Sequence, residues 1–262
     1  MRLGIEVKEN PKTIQEKLIW LQFYDKANWL KPICADKLKV REYVKEKIGK
    51  DICVPLLKVY DSLNDIKLEE LPDQFVLKTN HASAQYIICK NKKAFNIEEA
   101  RKKLKIWLSK PYGISTCEPH YFYIERKCFA EKLLKTSGQN DIVDYKFLCF
   151  NGKPKLMQLI QDRHGPERRL QHYDMNKKFV NVHRADFKCR PELKHKDILP
   201  VNFDLMKEYA EKLAAPFKFV RVDFYEVNGV VYLGEMTFVP AAARFSFTEP
   251  KFALEMGSWL KL

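Results

Sequence analysis

The stretch Phe219–Pro240, FVRVDFYEVNGVVYLGEMTFVP, decides how the rest of the chain is read. β-Branched and aromatic residues dominate both sides of Asn228-Gly229, which predicts two antiparallel strands joined by a tight turn. The register of that hairpin sets its chemistry, because side chains on one face recur every second residue. A two-residue Asn-Gly turn sets Asp223 opposite Gly234 and turns Glu235 to the other face. A three-residue loop, Val227-Asn228-Gly229, closed by glycine in the left-handed region as a bulge, sets Asp223 opposite Leu233 and Arg221 opposite Glu235. We expect the second register. It gathers Arg221, Asp223, Glu235 and Thr237 on one face, where two carboxylates on diagonal positions, ~7–8 Å apart at the backbone, can converge on a Mg²⁺ ion. The plainer reading makes Asp223 and Glu235 solvated charges on an edge hairpin, with Arg221 as their ion-pair partner.

The totals narrow the classes open to the chain. Its 262 residues allow one large domain or two packed subdomains, and the scarcity of glycine beside plentiful Phe and Tyr argues against disorder. No run approaches the ~18 apolar residues of a membrane span, and the polar start MRLGIEVKEN does not read as a signal peptide. The cysteines at 34, 53, 89, 117, 128, 149 and 189 form no CxxC pair, so reduced thiols in a cytoplasmic protein are expected. A net charge of +13 asks for an anionic partner. Nucleotides, sugar acids on nucleotide or lipid carriers, acidic polysaccharide and the inner face of a membrane all qualify. Nucleic acid ranks last, since no motif for it is present.

Upstream, Thr13-x-x-Glu16 reads as a capping box opening a helix with Ile14, Leu18 and Leu21 on one face. Asp36 reads as the N-cap of a second helix that Gly49 ends. Gln74–Lys78 reads as a buried strand ending in a lysine, followed by the small, polar loop Thr79–Ala84, where backbone N–H groups could approach phosphate. The bland alternative there is a surface hairpin with an exposed lysine. Asn96 caps the next helix, residues 111–123 read as irregular, and Ser137–Asp141 as a loop. Asp144–Phe150 and Lys155–Asp162 read as a second Asn-Gly hairpin. Asp162-Arg163 and Arg168-Arg169 then form a basic loop, able to grip carboxylate or phosphate or simply to be solvated. Residues 171–200 read as irregular surface, Asn202 as a helix N-cap, and Phe252–Trp259 as a short closing helix.

Taken together, Asp36-Lys37, Phe75-Val76-Leu77-Lys78, Ala130–Leu134, Asp144–Phe147, Arg221-Val222-Asp223 and Gly234-Glu235-Met236-Thr237-Phe238-Val239-Pro240 resemble the TupA-like branch of the ATP-grasp superfamily. The resemblance runs over nearly the whole chain. It implies an α+β fold in which two subdomains hold ATP between their sheets: a helical leader over 1–50, a small subdomain over 51–130 and a large one over 131–262. It implies that Lys37, Lys78 and Ser83 reach the phosphates, with Lys146 beside them. Glu131 and the backbone at Leu133 would read adenine, and Asp144 would lie near the ribose. Asp223, Glu235 and Thr237 would hold Mg²⁺, and Arg221, Lys78 and Arg244 would serve the reacting anions.

Three departures from the family pattern stand out. Ala82 and Ala84 replace loop glycines, and a left-handed alanine costs about 1–2 kcal/mol. Thr237 stands where many ATP-grasp ligases carry Asn. Ala241-Ala242-Ala243-Arg244 stands where glycine is common, which implies a narrower acceptor pocket with Arg244 available to a carboxylate. The implied activity is a carboxylate–amine ligase acting through an acyl phosphate, adding an amino acid or amine to a sugar acid of a surface polysaccharide such as capsule. A kinase of a glycan precursor and a nucleotide-binding protein without turnover are the alternatives. The expected setting is cytoplasmic without a transmembrane segment, and the charge allows peripheral contact with the inner membrane face.

Overall fold

The computed structural model describes residues 7–25, 29–114, 116, 118–135, 142–163, 165, 168–187 and 199–262. The expected loop at 137–141, and Cys117 and Cys189, lie outside them. Helix α1 (Ile14–Tyr24) opens with the expected capping box: Thr13 Oγ1 accepts from the Glu16 N–H at 3.3 Å, and the Glu16 carboxylate accepts from the Thr13 N–H at 2.9 Å. After α2 (Leu30–Ala35), Asp36 Oδ1 accepts from the Leu38 N–H at 2.8 Å, capping the turn that leads into α3 (Val40–Ile48). Gly49 ends α3 at φ +83°, a conformation with little steric cost only for glycine. Asn96 caps α4 (Ile97–Ser109) as expected.

Two antiparallel sheets follow. The first, in the order β1-β4-β2-β3, comprises β1 (Leu56–Tyr60), β2 (Phe75–Thr79), β3 (Tyr86–Cys89) and β4 (Cys128–Lys132). The second, in the order β10-β9-β5-β6-β7-β8, comprises β5 (Asp144–Phe150), β6 (Lys153–Gln161), β7 (Arg169–Asp174), β8 (Phe179–Val180), β9 (Phe219–Val227) and β10 (Val230–Thr237). The boundary expected at 130/131 falls inside β4, and the chain crosses between sheets after Lys132. Residues 171–200 are not all irregular, since β7 and β8 extend the larger sheet at its edge. Their signal was hidden because the buried run of β7 includes Gln171 and His172; His172 is bracketed by Gln158 at 3.2 Å and the Val182 carbonyl at 3.0 Å.

The helical leader is not a separate layer. Ile14, Leu18, Val40 and Val44 share one core with Phe147, Phe203, Phe219 and Met256, so α1 and α3 pack with α5 (Phe203–Ala214) and α6 (Pro250–Trp259) on the large sheet. Gly257 makes the α1–α6 crossing possible, because a Cβ there would stand 1.9 Å from the Lys12 carbonyl oxygen. Asn202 does not cap α5 with its side chain. Its amide instead donates to Glu226 and to the Gly229 carbonyl, fastening the helix start to the β9–β10 turn. The small sheet has its own core of Phe75, Leu77, Ala100, Leu104 and Ala130.

Candidate active site

The β9–β10 register corrects the expected one, yet leaves the same residues on one face. The turn is the two-residue one, with Asn228 and Gly229 both left-handed (φ +52° and +75°), and Val227 pairs Val230. The pairing runs to Leu233 opposite Phe224 and then slips by one residue at Gly234, so Glu235 faces Asp223 and Thr237 faces Arg221. The bulge sits at Gly234 rather than in the loop. A Cβ at Gly234 would come within 2.8 Å of the Tyr225 ring, so glycine both admits the slip and lets that ring lie across it.

A row of alternating charges results, running across three neighbouring strands. Arg163 Nη1 lies 3.3 Å from Asp144 Oδ1, and Asp144 accepts from Lys146 Nζ at 3.2 Å. Lys146 also donates to Asp223 Oδ2. Arg221 grips both oxygens of Asp223 at 2.7 Å and reaches Glu235 at 3.0 Å and Thr237 Oγ1 at 3.1 Å. Asp223 is fully buried, and Asp144 and Lys146 almost so. Burial pushes Asp223 upward, and the guanidinium on both its oxygens, with Lys146, opposes this; that geometry favours the ionised pair. Burial also acts on Glu235, but Arg221, Lys37, Lys146 and Arg163 outweigh it and hold its carboxyl well below the usual range.

Across from this row, the small sheet supplies further cations, and a cavity of about 800 Å³ lies between the two. Lys78 pairs with Glu131, which stands diagonally across β2–β4, opposite Val76. Lys37 donates to the Ala82 carbonyl at 2.6 Å, pinning the loop after β2, and Asn80 is tied to Asp36 at 3.0 Å. Ala84 has φ +58°, so the strain expected at a replaced loop glycine falls on this residue; Ala82 is buried and not left-handed. The second alanine run is more strained. Ala241, Ala242 and Ala243, directly after Pro240, are all left-handed at φ +49°, +53° and +55°, at about 1–2 kcal/mol each.

Lys37, Lys78, Ser83, Glu131, Leu133, Asp144, Lys146, Asp223 and Glu235 all line the cavity. Arg221 and Thr237 stand behind the lining and orient the two carboxylates. Arg244 does not line it and is exposed at the end of the alanine turn. Arg163, which the sequence offered only as part of a basic loop, does reach the cavity, whereas Arg168 lies over the Phe187 ring at 3.8 Å. Tyr112, Gly113, Glu118, His120 and Tyr121 come from a stretch without sequence signal, yet they back the site. Glu118 N–H closes on the Gly113 carbonyl at 2.9 Å, the Tyr112 and Tyr121 rings meet edge to face at 4.9 Å, and His120 packs on Phe238 at 5.4 Å. Burial pushes Glu118 up to about 7.

The donor set suits Mg²⁺. Mg²⁺ is commonly held by one or two carboxylates together with substrate phosphates rather than by a complete protein cage. Asp223 and Glu235 give that pair, and no cluster of three His, Cys, Asp or Glu able to hold a metal occurs among the described residues.

Two α+β subdomains with a charged cavity between their antiparallel sheets define the ATP-grasp fold. The family model for TupA-like ATPgrasp matches residues 16–261, and the chain belongs to that family. Among solved structures, it is similar to N5-carboxyaminoimidazole synthetase from Staphylococcus aureus complexed with ADP, with 17% identity, 78% of this chain and 44% of that one covered, and a TM-score of 0.44. D-alanine–D-alanine ligase from Helicobacter pylori gives 14%, 94% and 69%, with a TM-score of 0.46. L-amino acid ligase from Bacillus licheniformis gives 14%, 80% and 41%, with a TM-score of 0.44. The chain thus spans less than half the length of the first and third of these, and overlaps this loose carry no argument about activity. No curated protein matches the sequence.

Proposed function

We propose that the chain is an ATP-dependent ligase joining a carboxylate to an amine, with a sugar acid of a surface polysaccharide as the carboxylate. The observation that supports it best is the alternating row Arg163–Asp144–Lys146–Asp223–Arg221–Glu235 at the cavity wall. A carboxylate oxygen attacks a triphosphate only after the charge of both has been cancelled, and such transfer is catalysed mainly by positioning and electrostatics. Lys37, Lys78 and Lys146 are placed to bind phosphate, Ser83 to approach it with the loop, and Arg221 to steady the developing charge. To Glu131 and Leu133, at the end of β4 on the cavity wall, we assign adenine, and to Asp144 the ribose. Mg²⁺ at Asp223 and Glu235, with Thr237 orienting Glu235 from behind instead of reaching the metal, would supply further positive charge at the phosphates. The acceptor oxygen bonds to the γ-phosphorus as ADP leaves; the amine nitrogen then bonds to the acyl carbon, phosphate leaves and the amine gives up a proton. Arg244 is assigned to the acceptor side, beyond the cavity, and the setting is the cytoplasm.

The cations of the row are already matched by carboxylates. Nucleotide and metal are therefore expected to enter by exchange, carboxylates turning to Mg²⁺ and cations to phosphate, so each strengthens the other. Thermal unfolding with ATP alone, Mg²⁺ alone and both tests this. At ~100 times the dissociation constant the bound state gains about 2.7 kcal/mol, a shift of a few degrees. The shift should appear with both together and vanish in Asp223→Asn/Glu235→Gln. No shift at millimolar Mg-ATP would sink the ligase reading and favour a protein without turnover, for which the strained Ala84 is the structural reason. Free phosphate released with an acceptor present then separates ligase from kinase.

A further inference from the structure

Six described Phe, Tyr and Trp residues expose 40% or more of their surface, and five of them, Phe23, Tyr24, Trp29, Phe122 and Tyr123, stand on three segments joined through α2: the end of α1, the residue before α2 and the turn on which α2 packs. Phe23 and Tyr24 end α1, where Tyr24 stacks on Trp20 at 4.7 Å. Asp25 then pairs with Lys31 at 2.8 Å, tying the end of α1 to the start of α2, and Trp29 precedes α2 directly. Helix α2 packs on the 3-10 turn Pro119–Tyr123, which buries His120 and Tyr121 on its inner side and leaves Phe122 and Tyr123 outside. The sixth, Phe179, lies apart on the edge strand β8.

Chance scatter of surface aromatics would not gather them so. The rings of Tyr24, Trp29 and Tyr123 each combine an apolar body with a polar tip, the combination favoured at the boundary between hydrocarbon and water. The charge around them is positive. Asp25 is neutralised by Lys31, and Lys127 is shared between Asp61 at 3.1 Å and Glu125 at 3.5 Å, while Lys218 sits over the Trp20 ring at 6.0 Å and Lys110 and Arg126 are exposed, so cations outnumber acids by two. The whole chain carries +13, and no helix among the described residues is long and apolar enough to cross a membrane. We propose that this aromatic corner seats the protein on an anionic membrane surface. Rings entering the headgroup layer and lysines facing anionic lipid are two weak signals that together suffice for reversible adsorption.

The position matters for the chemistry, on the ligase reading above. The same turn whose outer face carries Phe122 and Tyr123 packs His120 against Phe238, just beyond β10. An acceptor carried on a membrane-bound lipid would reach the carboxylate pair without leaving the surface.

Co-sedimentation of the full chain with vesicles tests the proposal, using phosphatidylcholine alone and phosphatidylcholine mixed with phosphatidylglycerol. Binding is expected only to the mixed vesicles and should weaken with salt. Trp29→Ser/Phe122→Ser/Tyr123→Ser should weaken it about tenfold or more, while the Mg-ATP thermal shift stays unchanged and shows the variant folded. Equal binding by wild type and the triple variant, or no binding at low salt, overturns the proposal. A change in solution oligomeric state on substitution, without vesicle binding, overturns it in favour of a second copy as occupant. Vesicle binding that persists where Mg-ATP gives no shift would sink the ligase reading and leave the membrane surface standing.

Discussion

The two walls of the cavity solve different problems with similar residues. On the large sheet, Asp144, Lys146 and Asp223 are buried and, with the half-buried Arg221, are bonded to one another in an alternating row, so each charge depends on the next. On the other wall, Lys78 of the small sheet and Lys37 of the α2–α3 turn are only partly buried and are held by one carboxylate and one backbone carbonyl. The first wall is a rigid constellation whose geometry is over-determined. The second consists of cations that can change partner cheaply and a loop that carries strain at Ala84. A reacting centre gains from fixed electrostatics, while the side that covers a nucleotide must open and close.

Breaking one member of each wall should show the contrast most strongly. Arg221→Ala removes the partner of both Asp223 oxygens, leaves Lys146 alone to hold that buried carboxylate, and is expected to cost about 3–5 kcal/mol in urea unfolding. Lys78→Ala should cost less, about 1–3 kcal/mol, because Glu131 is buried too but borders the open cavity, where water can replace the lost partner. Comparable losses for the two would end the distinction between the walls.

Acid should act next most strongly. Burial lowers His81 to about 4, His120 to about 3 and His172 to about 4. Between those values and about 6.5 the unfolded chain binds more protons than the folded one, so stability is lost as pH falls through that window. Glu118, raised to about 7, acts in the opposite sense between about 4.5 and 7, since there the folded form holds the extra proton. Three histidines outweigh one glutamate, so the thermal midpoint should drop between pH 7 and pH 5. His120→Phe should flatten that slope, and an unchanged slope would mean that His120 titrates normally.

The smallest effects sharpen the comparison at the strained alanines. Ala242→Gly and Ala84→Gly each relieve a left-handed alanine, offset by the greater freedom of glycine when unfolded, and should stabilise by about 1 kcal/mol or somewhat less. Calorimetry reads both. For Ala84→Gly, tighter Mg-ATP binding without a higher midpoint would show that the loop strain is relieved only on closure.

Local signals that act over a few residues were legible in the chain. The Thr13–Glu16 capping box, Gly49 as helix stop, the Asn96 cap, both Asn-Gly hairpins and the buried strand ending in Lys78 all follow from hydrogen-bonding and steric preferences of adjacent residues. Grouping Asp223 with Glu235 was legible too, although the reason first given was wrong. A bulge can sit at any point of a ladder, and only the Tyr225 ring packed over Gly234 fixed it there. Contacts far apart in sequence left no such signal. Asn202 forgoes its helix for the β9–β10 turn, β7 hides His172 behind a bond to Val182, and Glu118 and His120 back the site from a stretch with no pattern at all. The sequence by itself determined the elements, the two Asn-Gly turns and the stock of charged residues, because those depend on neighbours along the chain. Only the tertiary structure decided which cation faces which carboxylate and where the exposed aromatics gather, because partners separated by tens of residues meet only when the sheets and helices pack.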